Sequence, residues 1–251
     1  MSALDLSRRV AVVTGARRGI GAAIARSLLD HGASVVICGR SDDEMAEARA
    51  RLSPFGDVAW FAGDLHQSGE RARLTNWVGP IDILVNNAGG FLRAATALDC
   101  DSREWNDQLA ANLTLPFLMS QAVLPSMIER GWGRIINIGS IVATAPQLGN
   151  SIAYVAAKSG LVGLSKQMAA ELGGTGVTVN VVNPGTVLTE HLQDYLDSSP
   201  DVTAQDLARR IPAGRLGRPE EIASVIPFLT SDDSEFITGA VIDINGAAVH
   251  A

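Results

Sequence analysis

The sequence predicts an α/β protein built on one doubly wound parallel sheet with helices on both faces. The first observation is that short runs rich in valine and isoleucine, typical of strands buried on both faces, occur at residues 10–13, 35–38, 83–85, 135–138, 177–182 and 241–244. The second is that amphipathic stretches, such as 20–30 and 44–52, lie between these runs. Such an alternation implies parallel strands joined by right-handed helical crossovers.

The chain is predicted to form a single domain over residues 1–251, because 251 residues with 47% hydrophobic content can bury one large core. No fixed-period repeat and no linker rich in Pro, Gly and Ser divides the sequence. The segment 186–218 is less regular, since Pro200, Pro212, Gly214 and Gly217 interrupt its helical pattern. We expect this segment to be a mobile substrate lid, and a surface excursion without function is the alternative.

Composition argues against several classes of function. The 20 basic and 27 acidic residues give a net charge of -7 without a basic tract, so nucleic acid is not an expected partner. Neither the two cysteines nor the four histidines show metal-ligand spacing, so no metal is expected. Residues 1–9 lack a long apolar stretch, and Gly, Pro or charge interrupts later apolar runs before the about 20 residues of a membrane span. We therefore expect no membrane partner and a cytoplasmic location.

A glycine-rich turn follows the first predicted strand and precedes the first predicted helix. It reads Thr14-Gly15-Ala16-Arg17-Arg18-Gly19-Ile20-Gly21. Glycine lets the backbone approach a pyrophosphate without a Cβ in the way, and the amide groups at a helix start attract its negative charge. A glycine cluster alone is a weak signal, because turns are rich in glycine. Its place between strand and helix, however, predicts a dinucleotide-binding site.

The end of the second predicted strand indicates which dinucleotide binds. An acidic side chain there would bond the 2′-hydroxyl of NAD, whereas this chain has Gly39 followed by Arg40 and Ser41. Together with Arg18 of the glycine loop, Arg40 is expected to meet the 2′-phosphate of NADP. The acids at 42–44 would oppose a phosphate, but they also suit the first turn of a helix. The prediction is NADP(H), with NAD(H) as the alternative.

Tyr154 and Lys158 stand four residues apart on a predicted helix and so share one face. A free tyrosine is a poor base at neutral pH, but a nearby ammonium favours the phenolate and lowers the pKa of the phenol. Tyr154 can then pass a proton to or from a substrate oxygen. This pair alone is a weak signal, but Ser140 follows the predicted strand 135–138, at the sheet edge where a ligand crevice lies.

These residues resemble the motifs of the short-chain dehydrogenase/reductase family in its common form of about this length. The resemblance spans nearly the whole chain. Beside the glycine loop, Ser140, Tyr154 and Lys158, the ordered motifs are Asp64, Asn86-Asn87-Ala88-Gly89, Asn112 and Asn183-Pro184-Gly185 with Thr189. The resemblance implies a Rossmann-like sheet, which agrees with the fold class predicted above.

The resemblance also implies four catalytic residues, namely Asn112, Ser140, Tyr154 and Lys158. Asn112 would hold a water in a proton relay, and Ser140 would steady the developing oxyanion. Tyr154 would exchange a proton with the substrate oxygen, and Lys158 would in addition hold the nicotinamide ribose.

A larger set is expected to bind the cofactor. Asp64 with its neighbour Leu65 would lie at the adenine and the motif at 86–89 on the ribose side. The carboxamide would be placed by Pro184, Gly185, Val187 and Thr189. The set is Thr14, Gly15, Arg17, Arg18, Gly19, Ile20, Gly21, Arg40, Ser41, Asp64, Leu65, Asn87, Ala88, Gly89, Tyr154, Lys158, Pro184, Gly185, Val187 and Thr189.

The predicted function is that of an NADP-dependent oxidoreductase that moves a hydride between the nicotinamide and a small carbonyl or alcohol carbon. One alternative is a catalytically silent NADP-binding sensor or scaffold, since a fold does not guarantee chemistry. Another is an NAD-dependent alcohol, sugar or steroid dehydrogenase. The substrate pocket is expected to draw on 90–95, 141–150 and 186–218, whose apolar and small residues favour a neutral or weakly polar carbonyl compound.

The C-terminus departs mildly from the family pattern. Members often end with an aspartate followed by two glycines, whereas this chain has Asp243-Ile244-Asn245-Gly246-Ala247. We expect the departure to lie far from the proton relay and to affect only C-terminal packing, which in many relatives lies at a subunit contact. A homo-oligomer, either a tetramer or a dimer, is the expected assembly.

Overall fold

The computed structural model describes residues 4–91, 93–145, 149–198 and 202–248. Within these ranges seven strands form one sheet, in which every neighbouring pair is parallel and the order is β3-β2-β1-β4-β5-β6-β7. The strands are β1 Val10–Thr14, β2 Ser34–Gly39, β3 Val58–Ala62, β4 Ile83–Asn86, β5 Gly133–Ile138, β6 Val177–Pro184 and β7 Val241–Ile244. This architecture confirms the predicted doubly wound parallel sheet.

Helices cover both faces of the sheet. In the described ranges they are α1 Gly19–Asp30, α2 Asp42–Leu52, α3 Ser68–Val78, α4 Ser102–Leu109, α5 Leu115–Glu129, α6 Ile152–Glu171, α7 Glu190–Ser198, α8 Ala204–Ala208, α9 Pro219–Ala223 and α10 Ile226–Leu229. Residues of α1, α2, α9 and α10 share one apolar core with Val13, whereas residues of α3, α5 and α6 share another with Val12. Successive β1 residues therefore point to opposite faces, as the alternation of a strand requires.

The strand order reverses between β1 and β4, because β2 and β3 lie to one side of β1 and the later strands lie to the other. In such sheets the loops at the carboxyl ends of the two central strands diverge and leave a crevice for a ligand. The glycine loop follows β1 and the segment Asn86 to Gly89 closes β4, so both predicted motifs lie at this crevice.

Strand β3 was not among the predicted strands. It is an edge strand that pairs only with β2 in the sheet, and three of its five residues are only partly buried. An edge position needs no continuous run of valine and isoleucine, because the strand is not covered from all sides. The segment reads Val-Ala-Trp-Phe-Ala, so it lacks the run of valine and isoleucine by which the central strands were predicted.

A continuous helical stretch, Ser102–Glu129, comprises α4, a π-helical turn at Ala110–Thr114 and α5. Prolines were expected to interrupt apolar runs, yet this helix continues through Pro116 in the first turn of α5 and through Pro125. By length and composition the stretch could cross a membrane, but core helices of soluble proteins share these two properties. Met119, Val123 and Met127 of this stretch lie in the protein core.

The irregular segment 186–218 leaves the sheet after β6 and closes on itself at its base. Backbone bonds join Leu188 to Gly217 (N–H to O, 2.9 Å) and Gly217 to Thr186 (3.0 Å). Helices α7 and α8 lie within it, and Pro200 falls outside the described residues. The two ends of the predicted lid are therefore tied together.

Candidate active site

The predicted catalytic side chains Ser140, Tyr154 and Lys158 meet at the carboxyl end of β5. Ser140 is the second residue after this strand, and Tyr154 and Lys158 lie on the first two turns of α6. The Lys158 ammonium is buried, at 5% exposure, and donates to the Ile138 carbonyl at 2.8 Å. Its Nζ lies 5.8 Å from the centre of the Tyr154 ring. The spacing of four residues therefore places both side chains on one face, as predicted.

Burial controls how these groups titrate. It raises the pKa of the Tyr154 phenol, and a hydrogen bond with Ser140 opposes that rise. Burial also lowers the pKa of Lys158 from 10.5 to about 8. We expected the Lys158 ammonium to lower the pKa of Tyr154, and in this structure the phenol shifts the other way. The physical reason is that desolvation disfavours the charged form of both groups, while Lys158 directs its donor at a backbone carbonyl.

Asn112 lies in the π-helical turn and is fully buried. Its Oδ1 accepts from the Gly90 N–H at 2.9 Å, and its Nδ2 donates to the Gly90 carbonyl at 3.2 Å and to Gln108 Oε1 at 2.8 Å. A Cβ on Gly89 would approach Asn112 Oδ1 to 2.6 Å, which explains the glycine there. The Asn112 amide thus holds the loop after β4, and the water relay remains a prediction for this residue.

The C-terminal strand reaches the site, contrary to our expectation. Asn183 at the end of β6 accepts a hydrogen bond from the Ser140 N–H at 3.0 Å and donates one to Asp243 of β7 at 3.1 Å. Gly185 bonds to the Ile244 carbonyl at 2.9 Å, and Asn245 packs so closely that a Cβ on Gly185 would lie 2.8 Å from its Cα. Asp243 is therefore two hydrogen bonds from Ser140, and the departing residues Ile244 and Asn245 contact Gly185 of the predicted cofactor set, because β6 and β7 pair in register.

The glycine loop is shaped by close contacts that leave no room for side chains. Gly15 and Gly19 adopt positive φ angles of 66° and 61°. A Cβ on Gly15 would lie 2.8 Å from the Ala88 Cα, and one on Gly21 would lie 2.5 Å from the Gly15 carbonyl oxygen. Ile20 lies between Gly19 and Gly21 in the first turn of α1. Glycine at these places therefore lets the loops after β1 and β4 approach each other.

Thr14 and Asn87 join these same two loops. The Thr14 hydroxyl accepts from the N–H groups of Asn87 and Ala88, both at 3.0 Å. The Asn87 amide donates back to the carbonyls of Thr14 and Gly15, also at 3.0 Å. Both side chains therefore fix the shape of the crevice floor.

Two arginines of the glycine loop are engaged in ion pairs. Arg17 pairs with Glu44 of α2 at 2.7 Å, and Arg18 pairs with Asp194 of α7 at 2.8 Å. We expected Arg18 to join Arg40 at a 2′-phosphate, but here Arg18 reaches across to the predicted lid. The pairing follows from proximity, since Thr189 and Glu190 lie against Gly19.

Arg40 differs from both, because no salt bridge within the described part of the chain engages it and its side chain is exposed. Ser41 caps α2 by accepting from the Glu44 N–H at 3.4 Å, and the three acids occupy the first turn of that helix as anticipated. A Cβ at Gly39 would lie 2.7 Å from Met45 Sδ, which is buried. The strand end thus presents a cation and leaves little room for a carboxylate.

The loop after β3 carries Asp64 and Leu65. The backbone N–H of His66 donates to Asp64 Oδ1 at 3.1 Å and lowers the pKa of this exposed carboxyl, with a smaller contribution from the charge of Arg40. Leu65 is buried in the second apolar core. Asp64 and Arg40 therefore lie on neighbouring loops at the same sheet edge.

The remaining predicted cofactor residues lie between β6 and the lid. Pro184 ends β6, and Val187 is buried where it pairs with Gly217. The Thr189 hydroxyl accepts from the Leu192 N–H at 3.2 Å, and the Thr189 methyl lies 3.3 Å from where a Gly19 Cβ would be. This segment thus crosses from the Ser140 side of the crevice to the glycine loop.

The crevice fits a dinucleotide by its own geometry. No side chain caps the start of α1, so its first amide groups can meet a pyrophosphate. Gly15, Gly19 and Gly21 supply the cradle beside them, and the exposed Arg40 directly follows the end of β2. Residues at one end therefore suit phosphate groups, and those around Lys158 at the other end suit a polar ring with its ribose.

Phe91 and Arg93 lie within the segment 90–95 that was expected to line the substrate pocket, but their individual contacts were not predicted. Phe91 packs edge-on against Tyr154, with ring centres 5.9 Å apart. The exposed side chain of Arg93 forms an ion pair with the buried carboxylate of Glu104. Their position directly after the Asn86 to Gly89 motif was the available signal. Leu92 and the pocket residues 146–148 lie outside the described residues.

Comparison with known proteins gives close relatives. A family model described as enoyl-(acyl carrier protein) reductase matches residues 15–247. The chain is 40% identical over 245 residues to the 3-oxoacyl-[acyl-carrier-protein] reductase FabG of Vibrio harveyi, spanning 97% of this chain and 98% of the relative. It is 39% identical over 244 residues to the acetoacetyl-CoA reductase of Rhizobium meliloti, spanning 97% and 99%.

Solved structures agree with this similarity. A 3-oxoacyl (acyl-carrier-protein) reductase of Agrobacterium tumefaciens C58 with NADP bound matches with a TM-score of 0.90 at 35% identity, covering 97% of this chain and 95% of that one. The RhlG/NADP active-site complex of Pseudomonas aeruginosa matches with a TM-score of 0.90 at 34% identity, covering 98% of each. The resemblance read from the motifs is confirmed, and the chain belongs to the short-chain dehydrogenase/reductase family.

Proposed function

We propose that this chain is an NADP(H)-dependent oxidoreductase that reduces a small carbonyl compound, with a 3-oxoacyl thioester as the substrate class. The observation that carries the proposal is the meeting of Ser140, Tyr154 and buried Lys158 at the end of β5, beside a glycine cradle. The substrate class comes from the relatives named as 3-oxoacyl-[acyl-carrier-protein] reductase and acetoacetyl-CoA reductase. Both names describe a ketone carried on a thioester, which agrees with a weakly polar carbonyl substrate.

The predicted set of residues would hold the cofactor, with the glycine loop and Arg40 toward its phosphates and Lys158 and the segment after Pro184 toward its nicotinamide. When bound, it supplies the hydride. Arg40 favours NADP(H) because its guanidinium can bond a 2′-phosphate. NAD(H) is the alternative, and no carboxylate stands at Gly39 to bond a 2′-hydroxyl.

The proton chemistry falls to side chains of this chain. Tyr154 gives its phenolic proton to the substrate oxygen as the carbonyl is reduced, and its raised pKa keeps that proton in place at neutral pH. Ser140 donates a hydrogen bond to the same oxygen and stabilises the charge that develops there. Lys158, with a pKa of about 8, is largely protonated at neutral pH. Its positive charge compensates the negative charge that Tyr154 acquires when it gives up its proton. Asn112 would support the relay that returns a proton to this pair.

Replacing Tyr154 tests the proposal. Tyr154→Phe keeps the ring that packs against Phe91 but removes the proton, so kcat for acetoacetyl-CoA reduction with NADPH should fall about 10²- to 10⁴-fold. NADPH affinity, followed by protein fluorescence, should change little. Near wild-type turnover in this variant would remove Tyr154 from its role. In the wild-type protein, faster turnover with NADH than with NADPH would favour the NAD-dependent dehydrogenase. Cofactor binding by the wild type without turnover of any carbonyl compound would favour the sensor.

The irregular segment 186–218 is proposed as the lid of a single domain that spans residues 1–251. Its closed base at Val187 and Gly217 can act as a hinge pair, and the ion pair between Arg18 and Asp194 links its first helix to the glycine loop. A lid in this position would cover the substrate side of the nicotinamide.

A homo-oligomer, either a tetramer or a dimer, is proposed as the assembly, with a second copy on the outer face of α4 and α5. Trp105, Phe117 and Ile128 are 38%, 42% and 44% exposed on that face. Exposed large apolar side chains of this kind are typical of a contact surface between protein chains. Light scattering that finds a monomer would overturn the proposed assembly.

We also propose a cytoplasmic location with no membrane or nucleic-acid partner.

A further inference from the structure

Two hydrogen bonds connect the last strand to the backbone of Ser140. Asn183 is fully buried; its Oδ1 accepts from the Ser140 N–H at 3.0 Å, and its Nδ2 donates to Asp243 Oδ1 at 3.1 Å. Asn183 and Asp243 are register partners of β6 and β7. The connection therefore runs from β7 through β6 to Ser140, the second residue after the end of β5.

The partners of Asn183 allow only one orientation of its amide. A backbone N–H can only donate and an ionised carboxylate can only accept. The amide oxygen must therefore face Ser140 while the amide nitrogen faces Asp243, since a flipped amide would lose both bonds. The Ser140 N–H and the acceptor oxygen of Asp243 together determine which atom of Asn183 meets Ser140.

Local packing is adapted to this contact. The Gly139 N–H donates to the Val182 carbonyl at 2.8 Å, so the ladder between β5 and β6 continues to the residue before Ser140. A Cβ on Gly139 would collide with Asn183 Oδ1 and lie 2.8 Å from Val181 Cγ1. Glycine at 139 is therefore what lets the Asn183 amide approach the Ser140 backbone.

We propose that Asn183 and Asp243 are positioning residues for Ser140, an inference that rests on the oxidoreductase function proposed above. Ser140 is extended, with φ -167° and ψ 151°, and starts the short helix Ile141–Ala143. Fixing its N–H fixes the direction of its Cα–Cβ bond, and so the place of its hydroxyl beside the Tyr154 phenol. A displacement of about 1 Å in a reacting group can reduce turnover by about 10²-fold.

Asn183→Ala removes both hydrogen bonds and is the first test. With acetoacetyl-CoA and NADPH, kcat should fall about 10- to 100-fold while KM for NADPH stays nearly unchanged. Asn180→Ala is the matched control, because Asn180 is equally buried on the same strand and also makes two bonds, to the Ile237 carbonyl at 2.7 Å and from the Ala240 N–H at 3.0 Å. Neither bond reaches Ser140, so this variant should lose thermal stability but keep its kcat.

Substitutions at Asp243 separate the acceptor from the charge. Asp243→Asn keeps an oxygen that accepts from Asn183 and should retain kcat close to that of the wild type. Asp243→Leu has a similar size without an acceptor, so it should follow Asn183→Ala. Equal kcat in these two Asp243 variants would contradict the proposed positioning.

Amide hydrogen exchange at Ser140 gives a readout that needs no turnover. Its protection should drop in Asn183→Ala and Asp243→Leu and stay unchanged in Asn180→Ala and Asp243→Asn. Unchanged exchange in Asn183→Ala, or an equal loss of kcat in Asn180→Ala, would overturn the inference. If the wild type reduced no carbonyl compound, the proposed function would fail, while the exchange pattern would still decide whether Asn183 and Asp243 hold Ser140.

Discussion

The two ends of the predicted cofactor site are made of different groups. At the phosphate end, around the glycine loop, the shape comes from backbone contacts of glycines, and the charges are exposed arginines such as Arg17 and Arg40. At the chemical end, around Ser140, buried polar side chains contact one another and the backbone, as Lys158 and Asn183 show. The groups at the predicted phosphate end are in contact with water, whereas those at the predicted chemical end are buried away from it.

This difference determines what each end responds to. Charges in water are screened by salt and contribute little each, whereas buried groups have shifted pKa values and depend on every partner. Changes at the phosphate end should therefore be modest and sensitive to salt. Changes at the chemical end should be large and sensitive to pH, and the three predictions that follow test this contrast in order of expected size.

Lys158→Met should alter the pH dependence of folding stability. Burial lowers the pKa of Lys158 from 10.5 to about 8, so between these pH values the unfolded chain binds the extra proton and the folded chain does not. Wild-type stability should therefore rise as pH increases across that window, by up to about 3 kcal/mol for a shift of this size. Lys158→Met should lack this rise.

Urea unfolding at a pH below about 8 and again near 10.5 measures this difference. Lys166→Met is the matched control, because Lys166 lies on the same helix but is exposed. This control should keep the wild-type pH dependence. An identical pH profile for Lys158→Met and the wild type would show that Lys158 is not held in a desolvated site, and the contrast between the ends would be lost.

Arg40→Ala should weaken NADPH binding by about 10-fold and leave NADH binding unchanged, because a charge-assisted bond to a phosphate contributes about 1.5 kcal/mol or more. Arg18→Ala should cost less, since Arg18 is engaged by Asp194. Fluorescence titration with both cofactors measures the affinities. If Arg18→Ala weakened NADPH binding more than Arg40→Ala, the roles given to these two arginines would have to be exchanged.

The sequence predicted what local pattern determines. The central strands were visible because burial on both faces demands continuous apolar runs, and the glycine loop and the Tyr154 helix were visible because their chemistry depends on short spacing. Contacts between distant residues were not visible. Asn183 meets Ser140 across 43 positions and Arg18 meets Asp194 across 176, and only the folded sheet brings these pairs together.

Strand β3 and the direction of the Tyr154 pKa shift were not predicted from the sequence, for a related reason. Strand β3 is partly exposed, so its composition carries a weaker signal than that of β1 or β5. The direction of the Tyr154 shift depends on the balance between desolvation and nearby charge, and sequence spacing reports only that Lys158 shares its helix face. Burial of an individual polar group is a property of the packed molecule.

Asp194→Asn should produce the smallest effect and tests the lid at the phosphate end. The pair with Arg18 is exposed, with side chains 33% and 63% accessible, so it is worth at most about 1 kcal/mol. Because the substitution frees Arg18 for a cofactor phosphate, NADPH should bind up to about 5-fold more tightly at low salt. At high salt the affinity for NADPH should be unchanged.

Asp197→Asn is the control for Asp194→Asn, because Asp197 lies on the same helix and accepts from Gln193 at 2.7 Å instead of pairing with an arginine. NADPH affinity in this control should match that of the wild type at every salt concentration. Weaker NADPH binding in Asp194→Asn would mean that the ion pair supports the cofactor site instead of competing with it. The lid would then act as part of the phosphate end, and its exposed charges would contribute more to NADPH affinity than is expected of charges that salt screens.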